Sequence, residues 1–332
     1  MKINRMSRDS RRRLLLSMSG GMLLLPLRGW ANTAFPDKPV KVVVPFPPGG
    51  TVDTVTRLLS NQLANQLGQP VVIDNKGGAG GTIGARLVSQ APADGYTILL
   101  TASNQVINPL ILKTVPYNLD KDFTPICYIG YVPQLVLVNA ESPAKTFEEF
   151  VAMVKAKPGG YNWATSGLGT AGHLAEELIN ITGDLKMPVV PYRGGGPALM
   201  DLMANHVSAM VEPIPSALPH VKGGRLRALA VTSPVRAASL PDVPTVAESG
   251  MPGFELPSWY GVWGPANMDP AVVNKIYDSF KRTLQSTDVV ERLNELSFVV
   301  VADPPGPFAN FIQKETEKYS NIVKTAGIVI DG

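Results

Sequence analysis

Residues 40–63 constrain the fold more than any other stretch. Val40-Lys41-Val42-Val43-Val44 is a β-branched run that suits a strand buried on both faces. Pro45, Pro47 and Pro48 then end the ladder, because proline has no N–H to donate and a fixed φ. Gly49 and Gly50 carry no Cβ, and Thr51 or Asp53 can accept the first free N–H groups of a helix. Val52, Val55, Leu58, Leu59 and Leu63 supply that helix with an apolar stripe. Strand, glycine turn and helix N-terminus in this order bring free backbone donors and the positive dipole end to one point, which suits a small anion. No lysine follows Gly50, so this is not the phosphate loop of a nucleoside triphosphatase. The stretch reads as half of an anion-binding mouth.

Ahead of it, Ser10-Arg11-Arg12-Arg13-Leu14-Leu15-Leu16 opens an apolar run ending near Leu27, and Gly29-Trp30-Ala31 offers a site for signal peptidase. The run is short and glycine-interrupted for a membrane span, so residues 1–31 read as an export signal to the periplasm. The arginines leave two addresses open, twin-arginine and general secretory. Seven of the 30 Lys and Arg residues and one of the 27 Asp and Glu residues lie in this leader, so the remainder carries 23 basic and 26 acidic groups, net −3. That balance removes the electrostatic support for a nucleic-acid partner or a polybasic membrane role. A single cysteine, Cys127, excludes an intrachain disulfide and a Cys-based metal cluster, and its apolar neighbours point to a buried, inert thiol.

After the leader, short apolar strands alternate with helical patterns, which argues an α/β chain with mostly parallel sheets. Leu135–Asn139 and Leu229–Ser233 look like two crossings between domains. The expected arrangement is one lobe from 32–138 plus 231–332 and a second from 139–230. Two strands joining them make a hinge with a ligand cleft between the lobes.

Several loops could line that cleft. Thr101-Ala102-Ser103-Asn104 follows a strand at the carboxyl edge where α/β ligands sit. Thr165-Ser166-Gly167-Leu168-Gly169-Thr170 lies between a strand and a helix, with Ser166 and Thr170 offering hydroxyls and Gly167 and Gly169 allowing close approach. It is the natural facing half of the mouth. Tyr192-Arg193-Gly194-Gly195-Gly196-Pro197 is a third such loop, with Tyr192 as a wall and Arg193 as a nearby cation; Glu212 ends the next strand. The roles of Arg193 and Glu212 stay open. Gly78-x-Gly80 fails the dinucleotide spacing, because Ile83 stands where Gly or Ala is needed.

Chemistry is thinly supplied. Ser166 lacks the Gly-x of a nucleophile elbow, and His173, His206 and His220 show no metal spacing, so neither a metal nor a cofactor is expected. Loops rich in donors and poor in proton-transfer groups suit a binding site. The alternatives are a periplasmic serine hydrolase using Ser166 and His173, and a ligand sensor feeding a signalling partner.

Seven segments carry a resemblance. They are Val44–Asp53, Asp74–Gly81, Pro92–Thr97, Ser166–Leu174, Pro191–Gly195, Arg225–Thr232 and Leu240–Gly250. In this order they resemble the Bug-type receptors, the extracytoplasmic solute-binding proteins of tripartite tricarboxylate transporters. The resemblance implies a two-lobed periplasmic binding protein of type II topology, a monomer that captures a small organic carboxylate and delivers it to a membrane permease. It implies ligand contacts from Phe46, Gly50, Thr51 and Asp53 on one side and from Ser166, Gly167, Gly169 and Thr170 on the other. Thr101 and Ser103 match a further lining segment, and Tyr192 and Gly194 another. Glu212-Pro213 departs from the Phe-Asp often found there in the family, which bears on the ligand's distal contacts.

Overall fold

Val40–Val44 is strand β1 of a computed structural model that describes residues 35–328. The leader assigned to residues 1–31 lies outside the described residues. Val40, Val42 and Val44 pack into one apolar cluster and Val43 into another, so β1 is buried on both faces, as its composition requires. It pairs in parallel with β2 (Val71–Asn75) and β3 (Thr97–Ala102).

The remaining strands are β4 (Phe123–Val132), β5 (Gln134–Asn139), β6 (Trp163–Thr165), β7 (Val189–Pro191), β8 (Ala209–Pro213), β9 (Leu226–Val231), β10 (Ser258–Pro265) and β11 (Val299–Asp303). They form two sheets, one per lobe. The first has the order β11-β4-β10-β3-β1-β2 and the second β7-β6-β8-β5-β9.

The expectation of mostly parallel sheets needs correction. β10 runs antiparallel to both β3 and β4, β11 to β4, and β5 to both β8 and β9. The reason is connectivity: a chain that leaves one sheet and later returns cannot re-enter every strand by a right-handed helical crossover. Each sheet keeps a parallel block, β2-β1-β3 in the first and β7-β6-β8 in the second. The carboxyl ends of these blocks carry the loops at 45–50, 103–104, 166–170 and 192–194, where ligands sit in open α/β sheets.

The change of sheet falls at Pro133, between β4 and β5, so Leu135–Asn139 lies wholly inside the second sheet. The chain comes back through residues 232–257. These two passages are tied together. The Gln134 N–H donates to Thr232 Oγ1 at 3.1 Å and the Thr232 N–H to the Gln134 carbonyl at 2.9 Å. Gln134 Nε2 also donates to the Leu256 carbonyl at 2.8 Å. Among the described residues, no helix is long and apolar enough to cross a membrane.

Candidate ligand site between the lobes

The loop after β1 is braced by side chains of the following helix and of β2. Helix Thr51–Leu67 starts from Gly50 with no side-chain cap, contrary to the expectation that Thr51 or Asp53 would supply one. Asp53 instead turns back. Its Oδ2 accepts the Gly49 N–H at 3.1 Å and Arg57 Nε at 2.9 Å, and its Oδ1 accepts Arg57 Nη2 at 2.9 Å and Asn75 Nδ2 at 3.0 Å. Asn75 Nδ2 also donates to the Phe46 carbonyl at 3.0 Å. Burial by itself would raise the Asp53 pKa, but the bonds from Arg57, Gly49 and Asn75 and the Arg57 charge outweigh it and hold the carboxyl below its ordinary value. Asp53 is thus a clamp on the loop, and the first N–H groups of the helix stay uncapped.

Two further helices begin at the same place. Helix Ala171–Thr182 starts behind Thr170, whose Oγ1 accepts the His173 N–H at 3.2 Å. Helix Gly195–Met203 starts behind Gly194, again with no side-chain cap. Gly50, Thr51 and Val52 from the first helix, Thr170, Ala171 and Gly172 from the second and Gly195 from the third line one cavity of about 50 Å³. Three positive dipole ends therefore converge, and none of the lining residues is Lys, Arg or His. Phe46, Val52, Pro213 and Tyr260 supply apolar wall, while Asn104, Gln134, Ser166 and Ser258 supply polar groups.

The one acid in the wall is Glu212, at the end of β8 and 2 % exposed. Its Oε1 accepts Ser216 Oγ at 2.6 Å, and Ser216 Oγ lies 2.8 Å from Thr51 Oγ1 of the other lobe. Burial raises the Glu212 pKa to about 7, against the opposing pull of the Ser216 and Ser166 hydroxyls. The carboxyl lies directly over Gly195, so close that a Cβ there would collide with it.

Of the residues expected at the site, Phe46, Gly50, Thr51, Ser166 and Thr170 line the cavity. Asp53 does not, for the reason above. Thr101 and Ser103 do not either: Thr101 Oγ1 donates to Asn104 Oδ1 at 3.0 Å, and the Ser103 N–H donates to the Trp259 carbonyl at 2.9 Å. Their neighbours Ala102 and Asn104 face the cavity instead. Side chains alternate along a strand, which turns Thr101 to the core and Ala102 to the cavity, and Ser103 is buried where the next helix begins. Gly167 offers its carbonyl to Thr170 Oγ1 at 2.9 Å. Gly169 has φ +79° and lies so close to Asn108 that no Cβ would fit. Both glycines belong to the seam beside the cavity. Gly194 is the cap before Gly195. Tyr192 is turned away, its hydroxyl donating to Asp201 Oδ2 at 2.6 Å, and Arg193 is exposed.

Sequence reasoning missed Gly172, Gln134, Ser258 and Tyr260 as lining residues. Tyr260 and Ser258 lie on β10, whose neighbours in the sheet are more than a hundred residues away in sequence, so no local pattern marks them. The Ser166–His173 pairing of the hydrolase alternative is not formed. His173 Nδ1 accepts the Gly169 N–H at 3.4 Å, Nε2 faces Glu177 at 3.9 Å, and burial lowers the imidazole to about 4.

Comparison with known proteins places this architecture. Residues 55–328 match the family described as tripartite tricarboxylate transporter family receptor. Protein BugT of Bordetella pertussis is 35% identical over 295 residues, which is 88% of this chain and 90% of BugT. A Rhodopseudomonas palustris protein solved with adipate is 32% identical with a TM-score of 0.87, over 89% of this chain and 99% of that one. MatC of the same organism, solved with bound malate, is 34% identical with a TM-score of 0.83, over 87% of this chain and 100% of MatC. The chain is a Bug-type member of the tripartite tricarboxylate transporter receptor family.

Proposed function

We propose that this protein is a periplasmic receptor that captures a small organic carboxylate between its lobes and delivers it to the membrane permease of a tripartite tricarboxylate transporter. The observation that carries the reading is the convergence of three helix N-termini, at Thr51, Ala171 and Gly195, on one cavity with no cationic side chain. Uncapped backbone N–H groups are the donors left to hold an anion there. The adipate and malate bound by the two relatives are carboxylates of the size this class of cleft takes.

Phe46, Gly50, Thr51, Ser166 and Thr170 would touch the ligand, and Asp53 would act by ordering the first loop. Sheet membership supports a two-lobe division near the expected 32–138 plus 231–332 and 139–230, with the first crossing at Pro133. Because groups from both lobes line the cavity, ligand would favour the closed arrangement, and binding and closure are one equilibrium. A binder is favoured over a serine hydrolase because His173 is engaged by Gly169 and lies deep in the lobe. A monomer exported to the periplasm is the form expected to act, with the permease as partner.

A thermal-shift and calorimetric screen with mono-, di- and tricarboxylates tests the proposal. One or more should raise the melting temperature and bind in the micromolar range or tighter. Indifference to all of them would sink it. Turnover of an ester that disappears in Ser166→Ala would favour the hydrolase instead.

A further inference from the structure

Glu212 is the part of the wall that carboxylate capture does not explain. Its Oε1 is taken by Ser216, while its buried Oε2 makes no well-formed hydrogen bond, the Ser166 hydroxyl facing the carboxyl without completing one. Unpartnered buried carboxyl oxygens are costly and uncommon. The groups facing this carboxyl are Thr51 from helix Thr51–Leu67, Ser216 from helix Ile214–Lys222, Ser166 from the loop after β6, Glu176 from helix Ala171–Thr182 and Tyr260 from β10. None brings a positive charge. Glu176 is fully buried, and desolvation raises its pKa well above the ordinary value, so it brings no compensating positive charge. Burial likewise keeps the Tyr260 phenol protonated.

A carboxylate in a cavity of about 50 Å³ that Glu212 helps to line stands in contact with Glu212. Three helix ends supply only about half a charge each, and one of them already lies under the Glu212 carboxyl at Gly195. Two carboxylates this close in a desolvated site do not both stay ionised; they share one proton. We infer that Glu212 is a specificity-determining residue that enters the bound state as a carboxylic acid, its Oε2–H donating to the ligand carboxylate, so that capture of the anion takes up a proton wherever Glu212 was ionised. The inference rests on the carboxylate reading of the cavity. It selects ligands with an acceptor oxygen at that end and disfavours an uncharged apolar one.

The raised Glu212 pKa, about 7, puts the coupling in the neutral range. The test is calorimetry of malate and adipate binding to the purified protein at pH 6, 7 and 8, in buffers of differing ionisation enthalpy. Affinity should fall about tenfold from pH 6 to pH 8, with close to one proton taken up per ligand at pH 8. Glu212→Gln presents an amide donor at the same place, so it should bind about tenfold tighter than the parent at pH 8 and show a flat pH profile. Binding by the parent that does not vary with pH, or that strengthens as pH rises and vanishes in Glu212→Gln, overturns the inference; the second result would mean an ionised Glu212 facing a ligand cation. If the parent binds neither acid at pH 6 nor any acid of the wider screen, the carboxylate reading itself fails and takes the inference with it.

Discussion

Thr51 Oγ1 and Ser216 Oγ stand 2.8 Å apart, one on each lobe, and Ser216 Oγ reaches on to Glu212 Oε1 at 2.6 Å. Three side chains thus tie the first turn of one lobe's helix to the wall of the other. The tie exists only while the lobes are together. It makes closure and the state of Glu212 parts of one hydrogen-bond chain, buried where such bonds matter most.

Removing the middle of that chain should loosen closure and also strip Glu212 Oε1 of its donor within the lobe. Ser216→Ala is expected to cost about 1 kcal/mol in the closed form, or about fivefold in ligand affinity, beside a fall in the unfolding midpoint of the free protein. Titration calorimetry and urea unfolding of the same preparation measure the two. Unchanged affinity would show that the tie contributes nothing to closure.

Asp53→Asn should lower stability rather than strip away a ligand contact, because the carboxylate it replaces is 3 % exposed and bonded to Arg57, Gly49 and Asn75. Loss of charged hydrogen bonds costs roughly 1.5–3 kcal/mol. The folded pKa of Asp53 is depressed, so its contribution is complete above the unfolded value and is lost as pH falls through the folded one. The gap between parent and variant in urea should therefore be full at pH 7 and shrink toward pH 3. A gap that widens in acid would contradict the assignment.

Two glycines on opposite jaws should respond differently. A Cβ at Gly195 meets the Glu212 carboxyl, whereas one at Gly50 has no neighbour closer than Gly195 N at 3.8 Å, an ordinary contact. Gly195→Ala is expected to displace Glu212 at a cost of about 1–3 kcal/mol and to weaken ligand binding about tenfold or more. Gly50→Ala should leave stability near that of the parent. Melting curves and titrations compare them, and equal behaviour would argue against the close approach of Glu212 to Gly195.

Glu212 also has a consequence for the free protein. Its pKa is about 7 when folded against 4.5 for the ordinary side chain, so the folded state loses stability as pH rises from below the lower value through the higher. The penalty is roughly 3 kcal/mol above pH 7. Glu212→Gln should melt well above the parent at pH 8 and close to it at pH 4. The reverse ordering would mean that the carboxylate is stabilised in place.

Cys127 is fully buried in β4, and desolvation pushes its thiol far above the ordinary range. A thiol reagent at pH 8 should react with the native protein only at the rate of its opening, and fully once urea unfolds it. Fast stoichiometric labelling of the native protein would place the residue elsewhere.

The sequence by itself determined the local pieces. Val40–Val44 cannot be anything but a doubly buried strand, prolines 45, 47 and 48 cannot extend it, and glycines 49 and 50 leave a helix start uncovered. Ser166 and Thr170 announce a second helix start, one that the Thr170 hydroxyl caps. Tertiary structure decided which side chains meet. Thr101 has the right chemistry on the wrong face of β3, with Ser103 buried just past the strand end, and only the neighbours β1 and β10 settle which face turns to the cleft. Tyr260 and Ser258 reach the cavity through antiparallel pairing across more than a hundred residues, and Glu212, through Ser216 of its own lobe, meets Thr51 of the opposite one. Propensity and spacing act over a few residues along the chain. The site is made where two sheets, each ordered by its own core, bring their strand ends together.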